Sequence, residues 1–365
     1  MDTKQTEINL FTPGPTHIPD SILRAMSFSE LHHRTSEFQK LFQETRELLA
    51  LAMHSNTLPL FLSCSGTGGM EAAVINSVGP EDTLGFLDAG KFGERWGDIA
   101  NAAGIRSTKL HIPWGESPTT EQVLSFLEAS PEVTHFALQY CETSTTVEHN
   151  VPEITAAIRE RFPHIILIID AISSATTVKW NLQEHHWDAV ITASQKAFML
   201  PPGLTMLFLS DRYWNSCEGV LPRTLYFRLA HEKVAQDNGG ASWTPTISII
   251  AGLRAALALF EEEGWENVYA RHRACREEAM HWFTKLGFSP INEQHGAHGV
   301  TGARPPASLN ADSLRATLAS DFHIRIAGGQ GQWKGEVVRV GHMGVVSPRD
   351  VKRCFSCIQE IIRKG

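Results

Sequence analysis

Short runs that are apolar at most positions punctuate this chain at 59–62, 83–87, 135–139, 165–169, 189–192 and 206–209. A strand with one wet face alternates apolar and polar residues. A strand that is apolar at consecutive positions is covered on both faces, as strands of parallel sheets are. Segments of helical period lie between these runs. In 36–53, Phe38, Leu41, Phe42, Leu48, Leu49 and Met53 recur at spacings that suit one helix face, Val151–Arg161 is a second such segment, and a helix start is expected near 69–75. The alternation predicts an α/β fold, with a mostly parallel sheet flanked by helices. A long helix, Ile247–Glu263, follows the turn at Thr244-Pro245-Thr246. Beyond it the pattern changes to long helices with isolated strands at 299–302 and 337–340. This predicts a large domain ending near 259 and a smaller α/β domain over 260–365. A length of 365 residues suits two such domains.

The net charge is −8 with neutral His, so the chain lacks the basic footprint that nucleic acid or an anionic membrane would require. No apolar run approaches the roughly 20 residues of a membrane span, and the polar first ten residues do not read as a signal peptide. Six cysteines in 365 residues are too few for a disulfide framework. Cys354 and Cys357 form a lone C-x-x-C in a helical segment where both are expected to face the core, and no second pair completes a metal site. These features point to a cytoplasmic protein whose partners are small molecules.

Three local patterns carry chemistry. Ser194-Gln195-Lys196 follows an apolar strand and precedes Pro201-Pro202-Gly203. Such surroundings disfavour an ammonium charge, and the freed amine is a nucleophile for carbonyls. A plain surface lysine on a strand–helix loop would read the same way. Asp170 ends the run at 165–169, where an unpaired carboxylate is costly; a cation such as a protonated ring nitrogen would meet it. A helix cap or a ribose contact are the other roles open to it. The separation of 26 positions from Asp170 to Lys196 corresponds to one strand–connection–strand unit, which would bring both to the carboxyl edge of adjacent strands, where open α/β sheets bind ligands. The third pattern is Ser63-Cys64-Ser65-Gly66-Thr67-Gly68-Gly69, a turn that fits a single phosphate but lacks both the P-loop G-K-[ST] and the dinucleotide G-x-G-x-x-G.

Together with Phe11-Thr12-Pro13-Gly14-Pro15-Thr16, His33-Arg34-Thr35-Ser36-Glu37-Phe38 and Arg339-Val340-Gly341-His342-Met343-Gly344, these patterns resemble the class V aminotransferases. That family belongs to the fold-type I pyridoxal-phosphate transferases, and the likeness is greatest to its alanine–glyoxylate and serine–pyruvate (serine–glyoxylate) members. The resemblance implies pyridoxal 5′-phosphate as cofactor, and a large cofactor-binding domain over 21–259 preceded by an N-terminal arm, 1–20, near the site. Lys196 would form the Schiff base and shuttle the proton. Asp170 would pair with the ring nitrogen. Ser65, Gly66, Thr67 and Gln195 would hold the phosphate, with Thr244 reaching the phosphate of a neighbouring subunit in a homodimer. Phe92 would stack on the ring and Thr143 would bond its hydroxyl side. Arg339 would grip the substrate carboxylate, and Gly14 would leave room for that substrate. The family members in view carry Trp at the position of Phe92, Ser at that of Thr143, and a phosphate-contacting Tyr at that of Ala241.

The activity implied is ping-pong transfer of an amino group from a small amino acid, of alanine or serine type, to glyoxylate or pyruvate. The alternatives are a class V lyase such as a cysteine desulfurase, or a non-catalytic nucleotide- or ligand-binding α/β protein. A desulfurase needs a mobile, low-pKa cysteine on a loop, and Cys275, Cys354 and Cys357 all lie in helical patterns.

Overall fold

A computed structural model describes residues 9–27, 31–222 and 224–364 of the chain. Residues 1–8 of the expected N-terminal arm lie outside the described residues. The larger of two main sheets has seven strands in the order Leu60–Leu62, Thr205–Leu209, Ala189–Ala193, Ile166–Asp170, His135–Gln139, Leu84–Asp88, Ser107–His111. Thr205–Leu209 is antiparallel to both neighbours, and every other pair in the sheet is parallel.

The continuous apolar runs are explained by cover on both faces. Along Ile166–Asp170, Leu167 and Ile169 enter one core with Phe136, Val190 and Phe208, while Ile166 and Ile168 enter another with Ala137, Ile191 and Leu207. Helices Ser36–Ala52, Val151–Arg161 and Ile247–Glu263 supply the first core, and Gly66–Ser77 and Lys91–Ala103 the second. Strand ends fall within a residue or two of the sequence reading. The helix expected at 69–75 begins earlier, at Gly66, because Gly66 and Gly69 let it lie almost on the sheet. A Cβ at Gly69 would stand 2.3 Å from Thr205 Cγ2, and one at Gly66 2.5 Å from Ile172 Cδ1.

A second sheet runs Leu10–Phe11, Arg325–Gly328, Val338–Gly341, Val300–Arg304, Ser289–Pro290. It packs on helices Trp265–Lys285, Ala311–Asp321 and Pro348–Lys364. Its first strand comes from the start of the described chain and pairs in parallel with Arg325–Gly328. Cys354 is buried in that core. Cys357, three residues on, is only half-buried at its edge, so the expectation that both thiols face inward holds for one of them. No described helix is long and apolar enough to cross a membrane.

Candidate active site

The parallel strands end at Asp88, Gln139 and Asp170 on one edge of the large sheet, and Ala189–Ala193 leads there into Ser194-Gln195-Lys196. The chain from Leu10–Phe11 crosses to the same edge. It passes so close over Gly341 that a Cβ there would stand 2.3 Å from the Thr12 backbone. It is then tied to the lysine on both sides: Lys196 Nζ donates to Pro13 O at 3.0 Å, Thr16 Oγ1 donates to Lys196 O at 2.7 Å, and Thr16 N–H donates to Gln195 O at 3.3 Å. Gly14, at φ +143°, lies directly over the side chain. A Cβ on it would stand 2.6 Å from Lys196 Cδ and 2.8 Å from Nζ.

Burial dominates the electrostatics. Loss of hydration lowers the Lys196 amine to about 8, with Asp170 opposing and Arg339 and Arg95 assisting. Loss of hydration likewise raises Asp170 to about 7. Its Oδ1 accepts from the Ile172 N–H at 2.8 Å. A half-buried amine with a loosened proton and a buried carboxylate with no bonded cation among the described residues therefore share one strand edge.

Phe92, on the first turn of helix Lys91–Ala103, presents its ring 5.7 Å from Lys196 Nζ and 4.8 Å from Arg95 Cζ. Arg95 Nη1 donates to Thr67 Oγ1 at 3.1 Å, on the first turn of helix Gly66–Ser77. Ser65 precedes that helix with its hydroxyl unused as a cap. Thr143 is buried. Its Oγ1 donates to Ser173 Oγ at 2.7 Å and its carbonyl accepts from Arg339 Nη1 at 2.6 Å. Arg339 Nε donates to Gly328 O at 2.8 Å. The Arg339 strand is central in the small sheet, so a surface arginine on an edge strand is ruled out. Burial lowers its guanidinium to about 10.

Lys196, Asp170, Phe92, Thr143, Arg339 and Gly14 thus converge, and the Ser65–Thr67 turn adjoins them through Arg95. Gln195 flanks the lysine, with its Oε1 buried and unpartnered among the described residues. Thr244 stands apart and exposed, two residues before Thr246, whose N–H donates to Ser63 Oγ at 3.2 Å. The sequence reading passed over three contributors. Pro13 enters through its carbonyl, which no side-chain pattern announces. Arg95 was legible only as the residue one helical turn beyond Phe92. Glu142 directly precedes Thr143 and is fully buried and bonded within the site. His342 is buried, with Nε2 2.9 Å from Thr301 Oγ1, and burial lowers it to about 3, so it is a neutral packing residue. Trp333 packs edge-on against Trp114, and Trp243 is exposed and stacked on Tyr226.

A half-buried lysine under a glycine, with a strand-end aspartate and an anion-ready helix turn beside it, agrees with what comparison to known proteins finds. The family model for class-V aminotransferases matches residues 8–331. The chain belongs to the class-V aminotransferase family. It is 35% identical over 340 residues to an uncharacterized aminotransferase of Helicobacter pylori, covering 92% of this chain and 89% of that protein. It is 30% identical to a serine–glyoxylate aminotransferase of Methylorubrum extorquens, covering 92% and 86%. Among solved structures, an alanine–glyoxylate aminotransferase from Nostoc superposes with a TM-score of 0.91 at 26% identity, covering 100% of this chain and 97% of that one.

The class-V cofactor is pyridoxal phosphate, and the residues present fit it. Asp170 is a buried carboxyl whose ionised form calls for a cation, Lys196 a half-buried amine that calls for a carbonyl, and the turn at Ser65 offers a hydroxyl not used as a cap beside helix-terminal N–H groups. The bound cofactor supplies an aldehyde for amines and a ring that withdraws electrons from the carbon bearing them.

Proposed function

We propose that this aminotransferase takes the amino group of a small amino acid, of alanine or serine type, and passes it to glyoxylate or pyruvate in two half-reactions of a ping-pong cycle. The observation that carries this reading is Lys196: a half-buried amine, lowered by loss of hydration to about 8 and held between Pro13 O, Gly14 and the ring of Phe92. Its Nζ is the nucleophile that holds the cofactor and the base that moves the substrate α-proton. Asp170 keeps the ring nitrogen protonated. Ser65, Gly66, Thr67 and Gln195 receive the phosphate. Phe92 covers one ring face, Thr143 addresses the ring-hydroxyl side, and Arg339 takes the donor's α-carboxylate with Gly14 leaving it space. The names of the Methylorubrum and Nostoc relatives support glyoxylate as acceptor and serine or alanine as donor.

The enzyme works as a cytoplasmic homodimer, with Thr244 of one subunit serving the phosphate site of the other. Its exposure, next to the exposed Trp243 that stacks on Tyr226, supports that assignment, and the lack of a disulfide among the described residues suits a reducing compartment. Desulfurase chemistry is disfavoured because burial raises Cys64 to about 11 and Cys217 to about 12, and raises Cys141 and Cys354 further, the reverse of what a sulfur-attacking thiolate needs. The test is the first half-reaction. Purified enzyme loaded with pyridoxal phosphate absorbs near ~420 nm. L-alanine or L-serine should abolish that band with stoichiometric release of the 2-oxo acid, and glyoxylate should restore it. Sulfide release from L-cysteine, without restoration by glyoxylate, would refute the proposal.

A further inference from the structure

Glu142 has no part in the chemistry described so far, yet it is a fully buried carboxylate inside the site. Its oxygens accept from Phe92 N–H at 3.1 Å, Gly93 N–H at 2.9 Å, Gln139 Nε2 at 3.0 Å and Ser144 N–H at 3.2 Å, and from the Ser144 hydroxyl. Ser144 Oγ in turn accepts from Lys91 N–H at 3.0 Å. Gly90, which precedes helix Lys91–Ala103, has no side chain with which to cap it. Glu142 and Ser144, from a different element, therefore satisfy the helix's first free N–H groups and set a negative charge against its positive end. The fit is tight: a Cβ at Gly90 would stand 2.5 Å from Glu142 Cδ.

All of these donors are neutral. Burial raises the Glu142 carboxyl while the bonds from Ser144, Gly93 and Phe92 favour its ionised form, and its charge in turn favours the ionised form of Arg339. The next residue completes the link, since the Thr143 carbonyl receives Arg339 Nη1 and the Thr143 hydroxyl meets Ser173. Arg339 Nε donates to a second backbone carbonyl, Gly328 O.

Resting on the reading of Phe92 and Arg339 given above, we infer that Glu142 is a positioning residue. It fixes the helix end that carries the ring-covering Phe92 and, through the adjoining Thr143 carbonyl, aligns the arginine that grips the donor carboxylate. Ring contact and carboxylate clamp would then be set by one buried group rather than adjusted separately.

The experiment is a double-mutant cycle on the pyridoxal-phosphate-loaded enzyme, with L-alanine, L-serine and L-aspartate tried in turn as donors. In Glu142→Gln, one amide nitrogen must face N–H groups that an oxygen now accepts, and the charge is gone. Its KM for the donor is expected to rise about tenfold or more, while the visible band is retained and its circular dichroism changes. In an Arg339→Gln background the same substitution is expected to raise KM less than about twofold, because the clamp it supports is already absent. Gly90→Ala, which keeps the glutamate but displaces its carboxylate, should reproduce the KM rise. A Glu142→Gln enzyme with wild-type KM and dichroism would overturn the inference, as would KM effects of Glu142→Gln and Arg339→Gln that simply multiply. A wild-type protein that takes up no chromophore, or that none of the three donors converts, would overturn the underlying functional reading and this inference with it.

Discussion

Replacing Gly14 by alanine tests whether the N-terminal segment and the lysine form one working unit. The new methyl carbon would stand 2.6 Å from Lys196 Cδ and 2.8 Å from both Cε and Nζ. Carbon atoms in contact sit about 3.5–4.0 Å apart, so the overlap is about 1 Å. The backbone at φ +143° adds a cost of its own, about 1–3 kcal/mol for a residue with a Cβ. Overpacking adds about 1–3 kcal/mol. The lysine end is the softer partner, so Nζ moves by about 1 Å, and a misplacement of that size costs about 100-fold in rate. Two assays separate the terms. Single-turnover loss of the visible band with excess donor should slow about 100-fold in Gly14→Ala. Denaturant unfolding of cofactor-free protein should show Gly14→Ala destabilising the wild type by about 2–6 kcal/mol, but a Lys196→Ala protein by only the backbone cost of about 1–3 kcal/mol. Equal destabilisation in both backgrounds together with an unchanged single-turnover rate would refute the packing argument.

Three further outcomes follow from the same geometry. Arg339→Gln should raise the donor KM by about 30-fold or more, as loss of a buried charged partner costs at least about 2 kcal/mol, and Arg339→Lys should fall between because it keeps the charge but loses the planar fork. The cofactor-free protein should be least stable between about pH 7 and 8. Asp170, raised to about 7 from the usual ~3.9, holds a proton that the unfolded chain has already released, so stability falls as pH rises through that window. Lys196, lowered to about 8 from the usual ~10.4, has lost a proton that the unfolded chain keeps, so stability returns only as pH rises beyond it. Adding pyridoxal phosphate should therefore raise the melting temperature more at about pH 7.5 than at about pH 5, and a gain that is flat with pH would contradict both assignments. Cys354→Ser should cost about 1–3 kcal/mol in a urea titration by burying a hydroxyl, whereas Cys357→Ser at the core's edge should stay within about 0.5 kcal/mol; a large loss at Cys357 would point to a role beyond packing.

The parts of this molecule that were legible in its sequence are those governed by local pattern. The buried strands announced themselves because a doubly covered strand must be apolar at consecutive positions, as Ile166–Asp170 is. The strand Ser107–His111 was missed for the converse reason. It lies at the sheet edge, paired only with Leu84–Asp88, and its Ser107, Lys109 and His111 face solvent, so it carries no apolar run. The strand Leu10–Phe11 was missed because two residues carry no period, and its partner lies over 300 positions away. Lys196, Asp170 and Arg339 stood out because a charged side chain embedded in apolar sequence requires an explanation. Glu142 did not, because its neighbours in sequence are polar and its burial arises from helix Lys91–Ala103 closing over it. Likewise, the glycines of the 66–69 turn read as a phosphate cradle, while Gly66 and Gly69 also serve the close packing of that helix on Ile172 and Thr205.

The most direct test of the central claim, that Lys196 is the amine that holds the cofactor, is chemical trapping. The protein would be loaded with pyridoxal phosphate, reduced with borohydride, digested, and mapped by mass spectrometry. The account predicts a single stable pyridoxyl adduct on the peptide spanning Ser194-Gln195-Lys196, absent when Lys196 is replaced by alanine, with the visible band lost in parallel. An adduct on any other lysine, or a visible band that survives in Lys196→Ala, would contradict it.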